Sequence, residues 1–323
     1  MGKRIWLGAA LAVAVVALPV GSVMRSWYGA GPLPEDRAFI VPDGAGMAVV
    51  ASRLQKAGII YSARAFRFHA KIFGIGGTVK AGEFLIPEGA SESKVLSIIQ
   101  GDAALRRFVT IPEGLPSVMV HERLMAQPYL TGDVQVPAEG TVLPDTYDFQ
   151  RGEARSAVLA RMQAKMAKVV AESWAGREDG LPVKTPQEAV TLASIVEKET
   201  GKPSERPMVA GLYTNRLRKG IMLQADPTII YPITQGKPLG RRIRQSEITA
   251  VNGYNTYAMT GLPKGPITNP GKEAIEAVLH PAKTEVLYMV ADGTGGHSFA
   301  STLEEHNANV ERWFAVRRAR GEM

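Results

Sequence analysis

Val190-Thr-Leu-Ala-Ser-Ile-Val-Glu-Lys-Glu-Thr-Gly201 is the stretch on which the reading of this chain turns. Pro186 near its start, Gly201 at its end and Pro203 beyond predict a helix over Pro186–Thr200, because proline suits a first turn while glycine and proline stop a last one. Leu192, Ile195 and Val196 lie on one apolar stripe. Glu199 stands seven, four and three residues after them, so its side chain projects from the same face. Glu197 is turned about 200° from Glu199, at about 100° per residue. A carboxyl on a buried face is desolvated, which favours its protonated form. In the last turn it also meets the negative end of the helix dipole, where a cation is usual. Both effects raise the pKa, as a general acid working near neutral pH requires. The plainer alternative ties Glu199 to an arginine, Arg206 or Arg216, in a structural role. Pattern alone leaves both open, with Glu197 as a supporting or solvated residue.

Around this helix the periodicity predicts others over Ala154–Ser173, Ser204–Arg218, Gly271–Leu279 and Ser301–Arg318, with one clear strand, Val286–Val290. Upstream is a smaller module. Phe39–Val41 reads as a strand, Met47, Val50 and Leu54 as a helical face ended by Gly58, Ala63–Phe73 as a second helix, and Glu83–Ile86 as a returning strand. Val95, Ile98 and Ile99 mark a further helix, and Arg107–Ile111 another strand. The order strand–helix–helix–strand makes an α+β module.

Ile5–Met24 carries no charge and is bounded by Lys3, Arg4 and Arg25. As a helix it would be roughly 30 Å long, the thickness of a bilayer core. Trp27 and Tyr28 follow where an aromatic belt would sit. The expectation is a transmembrane anchor through residues 5–24, in preference to a cleaved signal peptide. The N-terminus would then stay inside and all that follows lie outside the cytoplasmic (inner) membrane, in the periplasm or wall space. The expected division is tip and anchor 1–25, a Gly/Pro-rich linker 26–37, the small module 38–112 and a larger domain 113–323.

The 323 residues carry 38 Lys+Arg against 31 Asp+Glu, a formal charge of +7, and no cysteine. Disulfides and thiolate chemistry are therefore excluded. Three of those charges flank Ile5–Met24, which leaves +4 on the remainder and little support for a nucleic-acid partner. There is no Walker A run. The five histidines never take the spacing of a helical zinc pair, and Gly296-His-Ser-Phe-Ala300 lacks the last glycine of a nucleophile elbow. Two other segments carry chemistry. Gln224-Ala-Asp-Pro-Thr228 sets an amide, a carboxylate and a hydroxyl in a non-helical stretch. Tyr254-Asn255-Thr256-Tyr257 alternates rings with hydrogen-bonding groups ahead of the stiff loop Gly261–Ile267. Such groups suit a sugar; the bland reading makes the tyrosines core-edge residues.

Taken together, Leu192–Thr200, Tyr213-Thr-Asn-Arg-Leu217, Leu223–Thr228, Tyr254–Tyr257 and Gly261–Ile267 resemble the YceG-like, endolytic murein transglycosylase family. His280–Thr284, Leu287–Asp292, Gly296–Phe299 and Glu305–Asn307 extend the likeness over nearly the whole chain. The resemblance implies a single-pass anchor, a LysM-like small module and a catalytic domain like that of other lytic transglycosylases, whose acid is a Glu followed by Ser. Glu199-Thr200 fits that pair better than Glu197-Lys198. Glu199 is accordingly the expected acid, with Glu197, Gln224, Asp226, Tyr254, Asn255, Thr256 and Tyr257 as supporting or substrate-binding residues. Ala225 departs from the pattern, where a hydroxyl residue is expected. The implied substrate is the glycan of peptidoglycan, cut to leave 1,6-anhydro ends with neither metal nor organic cofactor; contacts with peptidoglycan synthases are a further implication. Two rivals stay open: a hydrolase pairing Glu199 with Asp226, and a non-catalytic wall-binding scaffold.

Overall fold

The computed structural model describes residues 20–74 and 77–322. The chain divides into one unit that runs to Arg107 and takes back Phe149–Gly152, and a second made of Phe108–Asp148 and the residues from Glu153 on.

In the first unit, β1 (Arg37–Val41) runs antiparallel to β2 (Gly82–Ile86), with Phe39 opposite Phe84. Alternation along the strands sends Phe39, Val41, Phe84 and Ile86 inward and leaves Ile40 and Leu85 exposed. Helices Met47–Lys56 and Ala63–Phe73 connect the strands, as the periodicity predicts. The second begins where it does because the Ser62 hydroxyl accepts from the Ala65 N–H at 3.3 Å, satisfying one unpaired donor of the first turn. Val50, Leu54 and Phe66 meet Val95 and Ile99 of helix Glu92–Gln100 in a shared core. A polar pair is buried there, His69 Nδ1 and Glu92 Oε2 at 2.7 Å.

The start of the chain corrects an expectation. Among the described residues no helix is long and apolar enough to cross a membrane, which overturns the inner-membrane placement drawn from Ile5–Met24. Residues 5–19 of that run lie outside the described residues. Trp27, expected in an aromatic belt, is only 3% exposed and packs against Phe66, His69 and Phe73. Leu33, expected in the linker, is buried in the same core. An indole beside an unfilled apolar core gains more by joining it than by staying in water, whatever the Gly/Pro content around it.

The second unit is built round helix Pro186–Glu199. Every residue from Ala189 to Val196 is buried, so the predicted stripe is one side of a helix enclosed all round. Helices Arg155–Ala175, Arg206–Arg218, Pro227–Thr234 and Lys272–Leu279 pack against it. Its buried hydroxyls are satisfied locally: Thr191 donates to the Gln187 carbonyl at 2.8 Å, and Ser194 donates to the Thr191 carbonyl at 2.7 Å. Helix Pro227–Thr234 was not foreseen. Pro227 occupies its first turn, where a missing N–H costs nothing, and this outweighs the strand preference of Ile229-Ile230-Tyr231. β3 (Arg107–Ile111) pairs with β4 (Asp145–Phe149). The predicted strand Val286–Val290 is displaced to β5 (Tyr288–Ala291), which forms an antiparallel hairpin with β6 (His297–Ala300). Helix Leu303–Ala319 packs on that hairpin.

Candidate active site

Glu199 closes the C-terminal turn of its helix and faces a cavity of about 340 Å³. Tyr213 and Arg216, one turn apart on helix Arg206–Arg218, form its floor. Gln224, Asp226 and Tyr257 form one side, and Met289–Ala291 of β5 another. Glu199 Oε1 is buried and, among the described residues, has no hydrogen-bond partner. Burial pushes this carboxyl from the ordinary range up to about 7, and the charge of Asp226 adds to the push. The Tyr213 hydroxyl and the Arg216 charge oppose it without cancelling it. Neither arginine weighed as a partner for Glu199 forms an ion pair with it. Arg206 goes to Glu113 and Glu197, and Arg216 goes to carbonyl groups.

The other side chains sort themselves by their bonds. Asp226 Oδ1 accepts from the Tyr257 hydroxyl at 2.6 Å, which fixes both on the cavity rim. Gln224 adopts φ +53°, a left-handed backbone seldom seen for a residue other than glycine or asparagine. The turn that imposes it is held by Gln224 N–H to the Thr256 carbonyl at 3.1 Å and Ala225 N–H to Thr256 Oγ1 at 3.0 Å. Such local strain persists where the surroundings over-determine it, most often at functional sites. Ala225, where a hydroxyl was expected, packs into the core, and Thr228 and Thr256 supply the hydroxyls that hold its peptide groups.

Four expected residues are not brought to the cavity. Asn255 spends its amide on the carbonyls of Glu247, Ile248 and Ala250, at 3.2, 2.8 and 2.8 Å. Thr256 is fully buried in the turn just described. Tyr254 packs on Tyr231 at 4.8 Å between ring centroids, with Lys264 Nζ 4.8 Å from its ring. Glu197 lies on the opposite face of the helix end: Oε1 accepts from Arg206 at 3.1 Å and Oε2 from the Gly271 N–H at 2.8 Å. A Cβ at position 271 would come within 2.1 Å of Glu113 Oε1, so the end of that side chain would have to shift. Saturated amides and carboxylates of this kind have little left to offer a ligand.

Two histidines on the cavity wall were missed as site residues, although both lie in segments that carry the family likeness. His297 Nδ1 is 2.8 Å from Glu205 Oε2, and the Thr200 hydroxyl donates to the same oxygen at 3.1 Å. The residue after Glu199 is thereby tied to the hairpin that walls the cavity. His306 stacks on Tyr288 at 5.2 Å, and burial together with the Arg216 charge holds its pKa below the usual value. A raised carboxyl pKa does not by itself mark the site. Burial also pushes Glu139 up to about 7, but Glu139 accepts from the Ser117 N–H and from Asn269 Nδ2, at 2.8 and 3.2 Å, and lies outside the cavity.

The sequence model of the YceG-like family matches residues 39–312. The endolytic murein transglycosylase of Bacillus subtilis (strain 168) is 27% identical over 307 residues, which span 85% of this chain and 84% of that protein. That of Streptococcus pneumoniae serotype 2 (strain D39) is 27% identical over 320 residues, 84% of this chain and 57% of the longer streptococcal protein. The crystal structure of a YceG-like protein from Listeria monocytogenes matches the fold with a TM-score of 0.53 at 24% identity, over 85% of this chain and 98% of that one.

Proposed function

The chain belongs to the YceG-like family, and from that premise we propose that it is an endolytic lytic transglycosylase of peptidoglycan, with Glu199 as its acid. It cuts within glycan strands between N-acetylmuramic acid and N-acetylglucosamine and leaves 1,6-anhydro ends, an activity suited to ending nascent strands. The observation that carries the assignment of Glu199 is a buried, unbonded carboxyl oxygen on the cavity wall in a group whose pKa lies near 7.

Protonated Glu199 donates to the bridging oxygen while the bond from C1 to that oxygen breaks through an oxocarbenium-like state. The muramic C6 hydroxyl closes on C1, and its proton passes to the Glu199 carboxylate, which restores the acid. No water is consumed, and the step needs neither metal nor organic cofactor. Tyr213 and Arg216 keep the carboxylate form accessible for the return of the proton. Gln224, Asp226 and Tyr257 contact the sugar, while Glu197, Asn255 and Thr256 support the walls. The small unit, with its strand–helix–helix–strand order, is the proposed LysM-like glycan-binding module, and peptidoglycan synthases are the proposed protein partners.

Mass spectrometry of fragments released from purified sacculi tests this reading. Anhydro ends are expected. Reducing ends that carry an added water would make the protein a hydrolase, and no release at all would favour the scaffold.

A further inference from the structure

Helix Arg206–Arg218 walls two cavities. Tyr213 and Arg216 line the one that holds Glu199, whereas Thr214, Asn215 and Arg218 line a second, of about 760 Å³. Asn215 and Arg218 each stand two residues after a residue of the first pair, a turn of about 200°, so the cavities lie on opposite sides of one helix. Glu178 and Asp179 bound the second on one side and residues 281–285 on another. Backbone bonds hold these walls. Asn215 Nδ2 donates to the Thr284 and Val286 carbonyls at 2.7 and 3.2 Å, and the Ala282 N–H to the Pro207 carbonyl at 2.9 Å. A Cβ at position 211 would come within 2.6 Å of the Ala282 carbonyl oxygen, so the close approach of helix and segment depends on Gly211.

Two features set this cavity apart. Thr214 is 2% exposed, yet among the described residues its Oγ1 has no hydrogen-bond partner. A threonine inside a helix can give its hydroxyl to the carbonyl four residues back, and a buried polar atom left unpaired costs about 1–3 kcal/mol. The lining also carries both signs of charge, Glu178, Asp179 and Glu285 with Arg218 and Lys283. Among the described residues none of the five forms an ion pair, and the Arg218 guanidinium donates only to the Gly180 carbonyl, at 3.2 Å. Where reach allows, opposite charges on this surface do pair, as Lys168 with Glu172 and Lys272 with Glu276. Opposite charges that share a concavity without pairing are held apart by it, and a ligand that satisfies both must carry both.

We propose that this cavity is a second binding site, for the zwitterionic end of a short peptide. Glu178, Asp179 and Glu285 take its ammonium, Arg218 and Lys283 take its carboxylate, and a peptide group completes the bonding of Thr214 Oγ1. The choice of a peptide rests on the transglycosylase reading, because peptidoglycan carries short peptides on its glycan and an unlinked one has a free ammonium and a free carboxylate. A helix with its side chains is about 10–12 Å across. Four or five extended residues span about 13–18 Å, so a branch on a sugar beside Glu199 is long enough to pass the exposed helix end at Lys219 and Gly220. A released peptide acting as a free effector has the same chemistry and is the other source.

Titration with a free tetrapeptide that has lysine at its third position and a C-terminal carboxylate tests the site without cleavage. The amide NMR shifts of Thr214, Asn215, Lys283 and Thr284 should move and saturate. Acetylating both amines or amidating the C-terminus should each weaken binding about tenfold. Arg218→Ala combined with Lys283→Ala, both exposed positions, should weaken the parent peptide by the same factor and leave the amidated one unchanged. Cleavage then identifies the source. With the branch as ligand, wild type should cut intact strands with kcat/KM about tenfold above strands stripped of peptide, and the double variant should lose that difference. With the free peptide as ligand, adding it should change the rate on stripped strands. No saturable shift, or equal binding of the parent and the doubly blocked peptide, would overturn the proposal and leave the transglycosylase reading intact. Failure to release anhydro ends from sacculi and stripped strands alike would sink that reading, while the titration still decides whether the cavity takes a zwitterion.

Discussion

The last turn of helix Pro186–Glu199 carries two glutamates, and the regions they enter treat a buried carboxyl in opposite ways. Below the turn, Glu197 meets Arg206 and the Gly271 N–H, with Glu113 beyond on the same guanidinium. That region is a strut, where the cost of burying charge is offset by bonds to both oxygens. Above the turn, Glu199 meets an open cavity and a like charge at Asp226, and its own buried Oε1 has no partner among the described residues. Burial raises the pKa of both, yet the same residue type, two positions apart, is bonded through both oxygens on one face and left with an unbonded oxygen on the other. Burial is common to both. What separates a structural carboxylate from a chemical one is whether its hydrogen-bonding capacity is spent inside the protein.

The sharpest way to break this contrast is to neutralise each carboxyl in turn. Glu199→Gln should lower the cleavage rate by about 10³-fold while the protein stays folded. Retained release of fragments from sacculi would remove Glu199 as the acid. Glu197→Ala should do the reverse, costing about 3 kcal/mol in denaturant unfolding, because it leaves Arg206 buried with only Glu113. Activity per folded molecule should fall far less than for Glu199→Gln. A stability loss within error would mean that the strut carries no weight.

The pH dependence of stability sharpens the comparison. A carboxyl whose folded pKa is raised binds more protons when folded, so its penalty is absent below the unfolded pKa and grows as pH rises through that value to the folded one. For Glu199 the window runs from 4.5 to about 7. Glu199→Gln should therefore gain stability over wild type across that window, on the order of 2–3 kcal/mol by pH 7.5. A constant difference between pH 5 and 7.5 would contradict the raised pKa. The smallest expected effect is at Thr200. Removing its bond to Glu205 in Thr200→Val should cost about 1 kcal/mol and a few-fold in activity, and Thr200→Ser should restore both. If serine does no better than valine, the hydroxyl is not what ties the helix end to the hairpin.

Much of this was legible in the sequence, and the failures share a cause. The small unit's order could be read because Val50, Leu54 and Phe66 fall at helical spacing and Phe39, Val41, Phe84 and Ile86 at strand spacing. The face of Glu199 could be read from three apolar neighbours. Spacing does not say where a hydrogen bond goes, however. Asn255 and Thr256 looked like ligands for a sugar; instead the Asn255 amide donates to carbonyls of its own loop and the Thr256 hydroxyl accepts from the Ala225 N–H. Trp27 looked interfacial because the residues that bury it, Phe66 and Phe73, lie some forty positions on. His297 and His306 gave no local signal, since each is placed by distant partners, Glu205 and Tyr288.

The central claim is that Glu199 is kept as an acid near neutral pH. Carbon-13 NMR titration of selectively labelled glutamate carboxyls, with the Glu199→Gln variant to identify the resonance, measures it directly. The account predicts a midpoint near 7 for Glu199. A midpoint at the ordinary glutamate value of about 4.3 would contradict it.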